Sequence, residues 1–323
     1  MAALCPQWPE GRYVCAFSGG SDSTALLALL GRFLPPERLM AAHLDHALRE
    51  SSAIEAQKAR ATAESLGLRI ALGRTEVEKL ARERGKGLEE AARAARYGFL
   101  LEELGKWPGD FVATAHQAED QAETVIMKLA RGAGPGAMVG IRARFGKVVR
   151  PLLGESRQAL RGYLEERGLG FVTDPSNEDQ RFMRNLVRQK VLPSLAELNP
   201  AYLAAFGRAA DLAVAEEEYW EWHVKALLEK LGLKEDQGWH GVKAEALGDL
   251  SLAEKRRVFG RLARMVSVKR PGGGEPVSFL AVETMVGFLD CPGAGGLDLP
   301  GGRRVEWRGQ YLYVGPASRF DVR

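Results

Sequence analysis

Apolar residues in the first 140 positions gather into short blocks separated by longer stretches with helical spacing. Tyr13–Phe17, Leu39–Leu44, Arg69–Leu72 and Phe111–Ala115 are brief runs bounded by polar turns, the pattern of short buried strands. Between them, Asp22–Leu30, Ser52–Leu66, Leu88–Leu104 and Glu119–Ala130 repeat apolar positions at intervals of three and four. Ser52 followed by Glu55 reads as a capping box, and Gly67 as the stop of that helix. Alternating strands and helices predict an α/β fold with a parallel sheet covered by helices on both faces. Such sheets bind ligands at the carboxyl ends of their strands.

Beyond about residue 140 the rhythm changes. "GKVVRPLL" reads as one more strand and Arg157–Arg167 as a helix, while "GFVTDPSNED" is turn chemistry around Asp174-Pro175. A long helical region runs from Arg181 to about Leu231, broken near Pro193 and Pro200. Helices near Ser251–Val266 and Phe279–Leu289 precede two strands, Arg303–Trp307 and Tyr311–Val314, joined as a hairpin through Arg308-Gly309-Gln310. The expected organisation is a first domain over 1–205, then a helical linker and small α+β domain over 206–323, with the boundary at 200–215.

Composition narrows the class. The chain has 323 residues, 46% hydrophobic and 27% charged, as in ordinary globular proteins. No apolar run approaches the roughly 20 residues of a membrane span, and the N-terminal stretch lacks the shape of a secretory signal. Cys5, Cys15 and Cys291 form no paired motif, so neither a disulfide framework nor a zinc site is expected. Together these features predict a cytoplasmic location. The net charge is only +3, yet residues 142–190 hold 11 Lys/Arg against 6 Asp/Glu, and residues 253–270 hold 7 against 1. Such concentrations are candidate docking surfaces for a polyanion; solvated helix faces are the plain alternative.

Chemistry concentrates at the predicted strand ends. "SGGSDS", Ser18–Ser23, leads from the first strand into a helix, where backbone N–H groups, hydroxyls and the helix dipole make an anion site. It is neither a Walker loop nor GxGxxG. "HLDHALR" follows the second strand, and "ATAHQAEDQAETVIMKLARGAG" follows a later one. In the latter, His116 caps the strand while Asp120, Glu123 or Thr124, and Arg131 recur at helical spacing. Glu89, Arg93, Arg96 and Tyr97 also share a helix face, which by spacing alone reads as an exposed ion-pair surface.

The ordered set "SGGSDS", "HLDHALR", "EEAARAARY", "ATAHQAEDQAET", "LARGAG", "VRPLL" and "DPSNEDQRFMRN" resembles the tRNA(Ile)-lysidine synthetases of the PP-loop, or N-type ATP pyrophosphatase, superfamily. The resemblance runs from residue 18 to about 188; the last 110 residues match that family's small C-terminal domain weakly. It implies ATP-dependent transfer of free L-lysine to C2 of cytidine 34 in a tRNA(Ile) with a CAU anticodon, through an adenylated base. It places ATP at Ala16, Ser18, Gly19, Gly20, Ser21, Asp22, Ser23 and His43, with Mg2+ on Asp22. Asp45, His116, Asp120, Glu123 and Arg93 are implied as catalytic candidates, in no order. Arg131, Asn177, Arg184 and Arg188 are placed on the tRNA, gripped further by the C-terminal domain. A PP-loop thiolase, another adenylating ligase and a non-catalytic ATP- or RNA-binding module are the alternatives; the absence of paired cysteines favours amine transfer. Oligomeric state, a homodimer included, is left open.

Overall fold

A computed structural model describes residues 10–47, 52–172, 183–266, 277–291 and 295–317. It divides into two compact units, Met1–Val214 and Ala215–Arg323. Asn177, Cys5, the turn around Asp174-Pro175, Lys269 and Arg270 lie outside the described residues.

The first unit is built on a six-stranded sheet. Strands β1 (Tyr13–Ala16), β2 (Leu39–Asp45), β3 (Arg69–Arg74), β4 (Phe111–Ala113), β5 (Arg144–Phe145) and β6 (Val148–Val149) are ordered β3-β2-β1-β4-β6-β5. All neighbours are parallel except the edge pair β5 and β6. Helices α1 (Ser21–Phe33), α2 (Ser52–Ser65), α3 (Val77–Arg84), α4 (Leu88–Lys106), α5 (Ala118–Ala130) and α6 (Arg157–Glu166) intervene. One apolar cluster joins Leu26, Leu27 and Leu30 of α1 to Leu160 and Leu164 of α6 beneath Tyr13 and Cys15. A second joins Val14, Met40 and Val112 to Leu100 and Leu104 of α4. Because successive side chains of a strand alternate faces, Tyr13 and Cys15 enter one cluster and Val14 the other. The predicted α/β sandwich is therefore the observed one.

From β1 the chain winds through β2 and β3 to one side; β4 and β6 lie on the other. Crossovers that diverge in this way leave a crevice at the carboxyl ends of β1 and β4, the standard ligand position in such sheets.

The helical region that follows is not interrupted at Pro193. Helix α7 (Met183–Leu186) passes into a π-helical turn, Val187–Val191, and then into α8 (Leu192–Leu198). Pro193 stands in the first turn of α8, where a missing N–H costs little. The break comes at Asn199, and α9 (Tyr202–Lys230) continues beyond it.

The second unit is a five-stranded antiparallel sheet, β7 (Lys234–Asp236), β8 (Trp239–Lys243), β9 (Gly296–Leu299), β10 (Arg303–Arg308) and β11 (Tyr311–Pro316), in the order β7-β8-β11-β10-β9. Helices α10 (Ala244–Gly248), α11 (Leu252–Met265) and α12 (Phe279–Phe288) cover one face. The hairpin of β10 and β11 matches the sequence expectation. Strands β7 and β9 do not, because they are short and largely exposed and so carry no apolar run. Within the basic stretch at 253–270, two of the five described cations are paired with carboxylates of other elements. Arg256 forks onto Glu283 at 2.7 and 2.9 Å, and Arg257 pairs with Glu217 at 2.7 Å.

One glycine bears on the geometry of the first unit. Gly140 has φ +55° and ψ −116°, and a Cβ there would lie 2.5 Å from Oε1 of the buried Gln121. Gln121 accepts from the Ile141 N–H at 2.6 Å and donates to the Val139 carbonyl at 3.2 Å, so this loop is clipped onto α5. Gly140→Ala should lower stability by about 1–3 kcal/mol, read as a lower urea midpoint at unchanged slope. A wild-type midpoint would show that the clip does not constrain α5.

Candidate active site

The crevice at the switch point is a cavity of about 700 Å³. Its floor is the Ser18–Ser23 turn. The chain leaves β1 at Ala16, and the Phe17 N–H still bonds to the Ala42 carbonyl at 2.9 Å. Gly19 then takes φ +84°, which favours glycine, and Gly20 begins α1 without any side-chain cap. The first-turn N–H groups of α1 thus have no intrahelical acceptor, and the positive end of the helix dipole lies at the loop. The serines shape the turn internally: Ser18 and Ser23 hydroxyls are 3.1 Å apart, and Ser23 Oγ donates to the Gly20 carbonyl at 3.0 Å.

His43 holds this turn from the neighbouring strand. Its side chain is buried, and its Nδ1 donates to the Phe17 carbonyl at 2.9 Å. Asp45, also buried, accepts the Ala47 N–H at 2.7 Å, with Arg74 Nε 3.7 Å away. Both residues line the cavity. Asp22 lines it too, and burial raises its carboxyl above the ordinary range, Arg157 opposing that shift and Asp120 adding to it.

The opposite side follows β4. His116 lies 3.0 Å from the Thr114 hydroxyl through Nδ1. Its pKa is lowered to about 3, first by burial and then by Arg150, Arg93, Arg184 and Arg96. The ring is therefore neutral at neutral pH. At the head of α5, Gln117 Oε1 accepts the Glu119 N–H at 2.7 Å while Asp120 Oδ2 accepts the Gln117 N–H at 3.1 Å. The other oxygen of Asp120 accepts from Arg184 Nη2 at 2.6 Å.

Glu123, one turn further along α5, points away from this space. It is 0% exposed and does not line the cavity. Arg184 Nε donates to it at 2.6 Å, and Arg188 Nε and Nη2 donate at 2.7 and 3.2 Å. The two arginines expected on tRNA are thus held by α5 carboxylates. Arg184 still borders the cavity and Arg188 does not. Arg131, at the C-cap of α5, is exposed and outside the cavity, and Gly19 contributes backbone geometry without lining it.

The α4 face that spacing alone reads as an exposed ion-pair surface is exposed at Glu89, Arg93 and Arg96, and it is also cavity wall: these three and Tyr97 line it. Arg93 stacks over the Tyr97 ring at 4.9 Å, and Arg96 Nη2 approaches His46 Nε2 at 3.4 Å. His46 and Arg96 were accessible to sequence reasoning through "HLDHALR" and "EEAARAARY". Arg161 and Val172 were not, because the packing of α6 brings the first to the cavity and the Val172 N–H bond to the Gly19 carbonyl at 2.9 Å ties the second there.

Comparison with known proteins agrees with this architecture. Residues 2–195 match the family described as the PP-loop domain. The tRNA(Ile)-lysidine synthase of Thermus thermophilus is 37% identical over 262 residues, 81% of this chain and 50% of that protein. That of Nitratidesulfovibrio vulgaris is 38% identical over 222 residues, 67% of this chain and 63% of that one. The chain thus spans about half to two thirds of these relatives' lengths. Among solved structures, the U34-tRNA thiolase of Methanococcus maripaludis superposes with a TM-score of 0.53 over 62% of this chain and 71% of its own, at 16% identity. At that identity the likeness is one of fold.

Two outcomes follow from the charges. The His116 imidazole resonances should stay at their neutral positions from pH 8 to 5. Because its folded pKa lies below the unfolded 6.5, His116 contributes stability that is full above pH 6.5 and lost toward pH 3. An NMR midpoint near 6.5 would contradict this environment. Glu123→Ala should cost about 1–3 kcal/mol, since Arg184 and Arg188 lose their buried partner yet keep some access to water. Thermal unfolding of the variant measures it, and an unchanged Tm would mean the pairs contribute nothing.

Proposed function

The chain belongs to the PP-loop domain family, and from that premise we propose that it ligates lysine to C2 of cytidine 34 in a tRNA(Ile) with a CAU anticodon. ATP first adenylates the C2 oxygen of the base; the lysine ε-amine then displaces AMP, and diphosphate is the other product. The observation that supports this reading above others is the identity of 37–38% to tRNA(Ile)-lysidine synthases across 67–81% of the chain. The cavity suits the chemistry. Its floor offers uncapped N–H groups where the leaving diphosphate gathers charge, and its α4 wall offers guanidinium and aromatic faces for a splayed-out base.

The site residues take roles under this proposal. Ser18, Ser21, Ser23 and the backbone from Gly19 to Ser23 hold the β- and γ-phosphates, while Ala16 and His43 border the nucleoside. Asp22 and Asp120 lie near enough for their charges to oppose each other, which fits a shared cation. Two carboxylates leave room for phosphate oxygens and water in an Mg2+ shell. When bound, Mg2+ neutralises phosphate charge.

The second step needs a neutral amine, and free lysine is mostly protonated at pH 7. His116, with a pKa about 3, is a poor proton acceptor and serves better as a neutral hydrogen-bonding group. Asp45, which lines the cavity and takes no part in holding the metal, is the carboxylate assigned here to hold and deprotonate the ammonium. Glu123 acts indirectly by orienting Arg184. Arg93 contacts the base or its phosphate, and Arg131, Asn177 and the second unit meet the tRNA body.

Thiolation is less well served, because no cysteine lines the cavity among the described residues and Cys15 is buried within β1. The deciding experiment incubates the chain with labelled lysine, ATP and the tRNA(Ile) transcript. Label should become covalently bound at nucleotide 34, with one AMP formed per lysine. ATP cleavage without label transfer would overturn the proposal.

A further inference from the structure

Arginines near the cavity divide into those with carboxylate partners and those without. Arg184 and Arg188 bind Asp120 and Glu123. The guanidinium groups of Arg157 and Arg161, by contrast, form no ion pair or hydrogen bond among the described residues. They stand at i and i+4 on α6, hence on one helix face, and Arg161 lines the cavity.

The start of α6 is held firmly. Glu119 Oε1 and Oε2 accept the Arg157 N–H at 3.1 and 3.0 Å. The Glu155 carbonyl accepts the Ala118 N–H at 2.9 Å, and Ser156 Oγ accepts from Ala159 at 3.1 Å. Helix α6 also packs along α1, whose first turn is Ser21–Ser23. The charge of Arg157 reaches Asp22 in that turn. Two cations are therefore anchored beside a loop that itself supplies only neutral donors and one acid.

We propose that Arg157 and Arg161 form a second phosphate-gripping arm, which binds the terminal phosphates of ATP and retains the departing diphosphate. This rests on the reading of the cavity as an ATP site. The reason is charge. A triphosphate brings several negative charges to a turn that already holds Asp22, and dipoles alone balance them poorly. The cationic charge of Arg184 and Arg188 is offset by Asp120 and Glu123. Guanidinium forks without ion-pair partners among the described residues, fixed on a capped helix, suit phosphate oxygens and bind them bidentately. The sugar–phosphate backbone of an RNA is the competing source of such oxygens, and the test separates the two.

Isothermal titration of the full chain with inorganic diphosphate and, separately, with AMP reads the arm directly, in the presence of Mg2+ but without lysine or tRNA. The Arg157→Gln/Arg161→Gln variant should bind diphosphate about 10-fold or more weakly, with AMP affinity kept within about two-fold of wild type. Equal loss of both ligands would overturn the proposal, as damage to the whole site. Unchanged diphosphate affinity with weakened tRNA retention on filters would overturn it in favour of an RNA contact. If thermal unfolding shows that the double variant is not folded, Arg161→Gln alone, at an exposed position, carries the test. It must then weaken diphosphate binding by about three-fold or more. No step of this assay depends on lysidine formation, so failure of the labelling experiment and failure of the arm remain distinct results.

Discussion

Strand β1 is hydrogen-bonded along both edges and packed on both faces, and the remaining features of the first unit follow from that constraint. A chain so confined can leave only along the strand axis. It must then turn at once, because α1 has to return across the sheet to bury Leu26, Leu27 and Leu30. Gly19 permits the turn by taking a left-handed conformation, and His43 braces it from β2 through the Phe17 carbonyl. The price of that geometry is a helix start with uncapped N–H groups, the feature proposed above to hold the phosphates.

Charge around the cavity is arranged by pairing more than by abundance. Glu123, buried beneath α5, draws Arg184 and Arg188 toward the α5 carboxylates and leaves Asp120 at the cavity edge. Burial, and after it the charges of Arg150, Arg93, Arg184 and Arg96, keeps His116 neutral. Arg157 and Arg161 have no carboxylate ion pair among the described residues, and Arg161 lines the cavity. A count of basic residues over 142–190 cannot distinguish these fates. Each guanidinium is neutralised or left available by a partner up to 65 residues distant in the chain.

The second unit shows the same limit. Its basic stretch has seven cations against one acid in sequence, yet Arg256 and Arg257 find Glu283 and Glu217 on other elements. On its sheet, Gly241 and Gly315 leave space for the rings of Tyr313 and Trp239, and Arg308 lies over both. That packing joins three strands, so no single segment reveals it.

By itself the sequence determined the alternation of buried strands and amphipathic helices, the Gly-rich exit from β1 and the polar clusters at the ends of β2 and β4. These are local properties: periodicity, turn chemistry and helix starts act over a few residues. They sufficed for the fold class and for locating the polar clusters at the strand ends, while the candidate site residues came from the family resemblance. Tertiary structure alone decided that Glu123 is buried support, that the Arg93–Tyr97 face of α4 is cavity wall, and that Pro193 begins a helix without breaking the helical run. It alone also carried Arg161 to the site. Which carboxylate meets which guanidinium depends on distances across elements, and one-dimensional spacing holds no record of those distances.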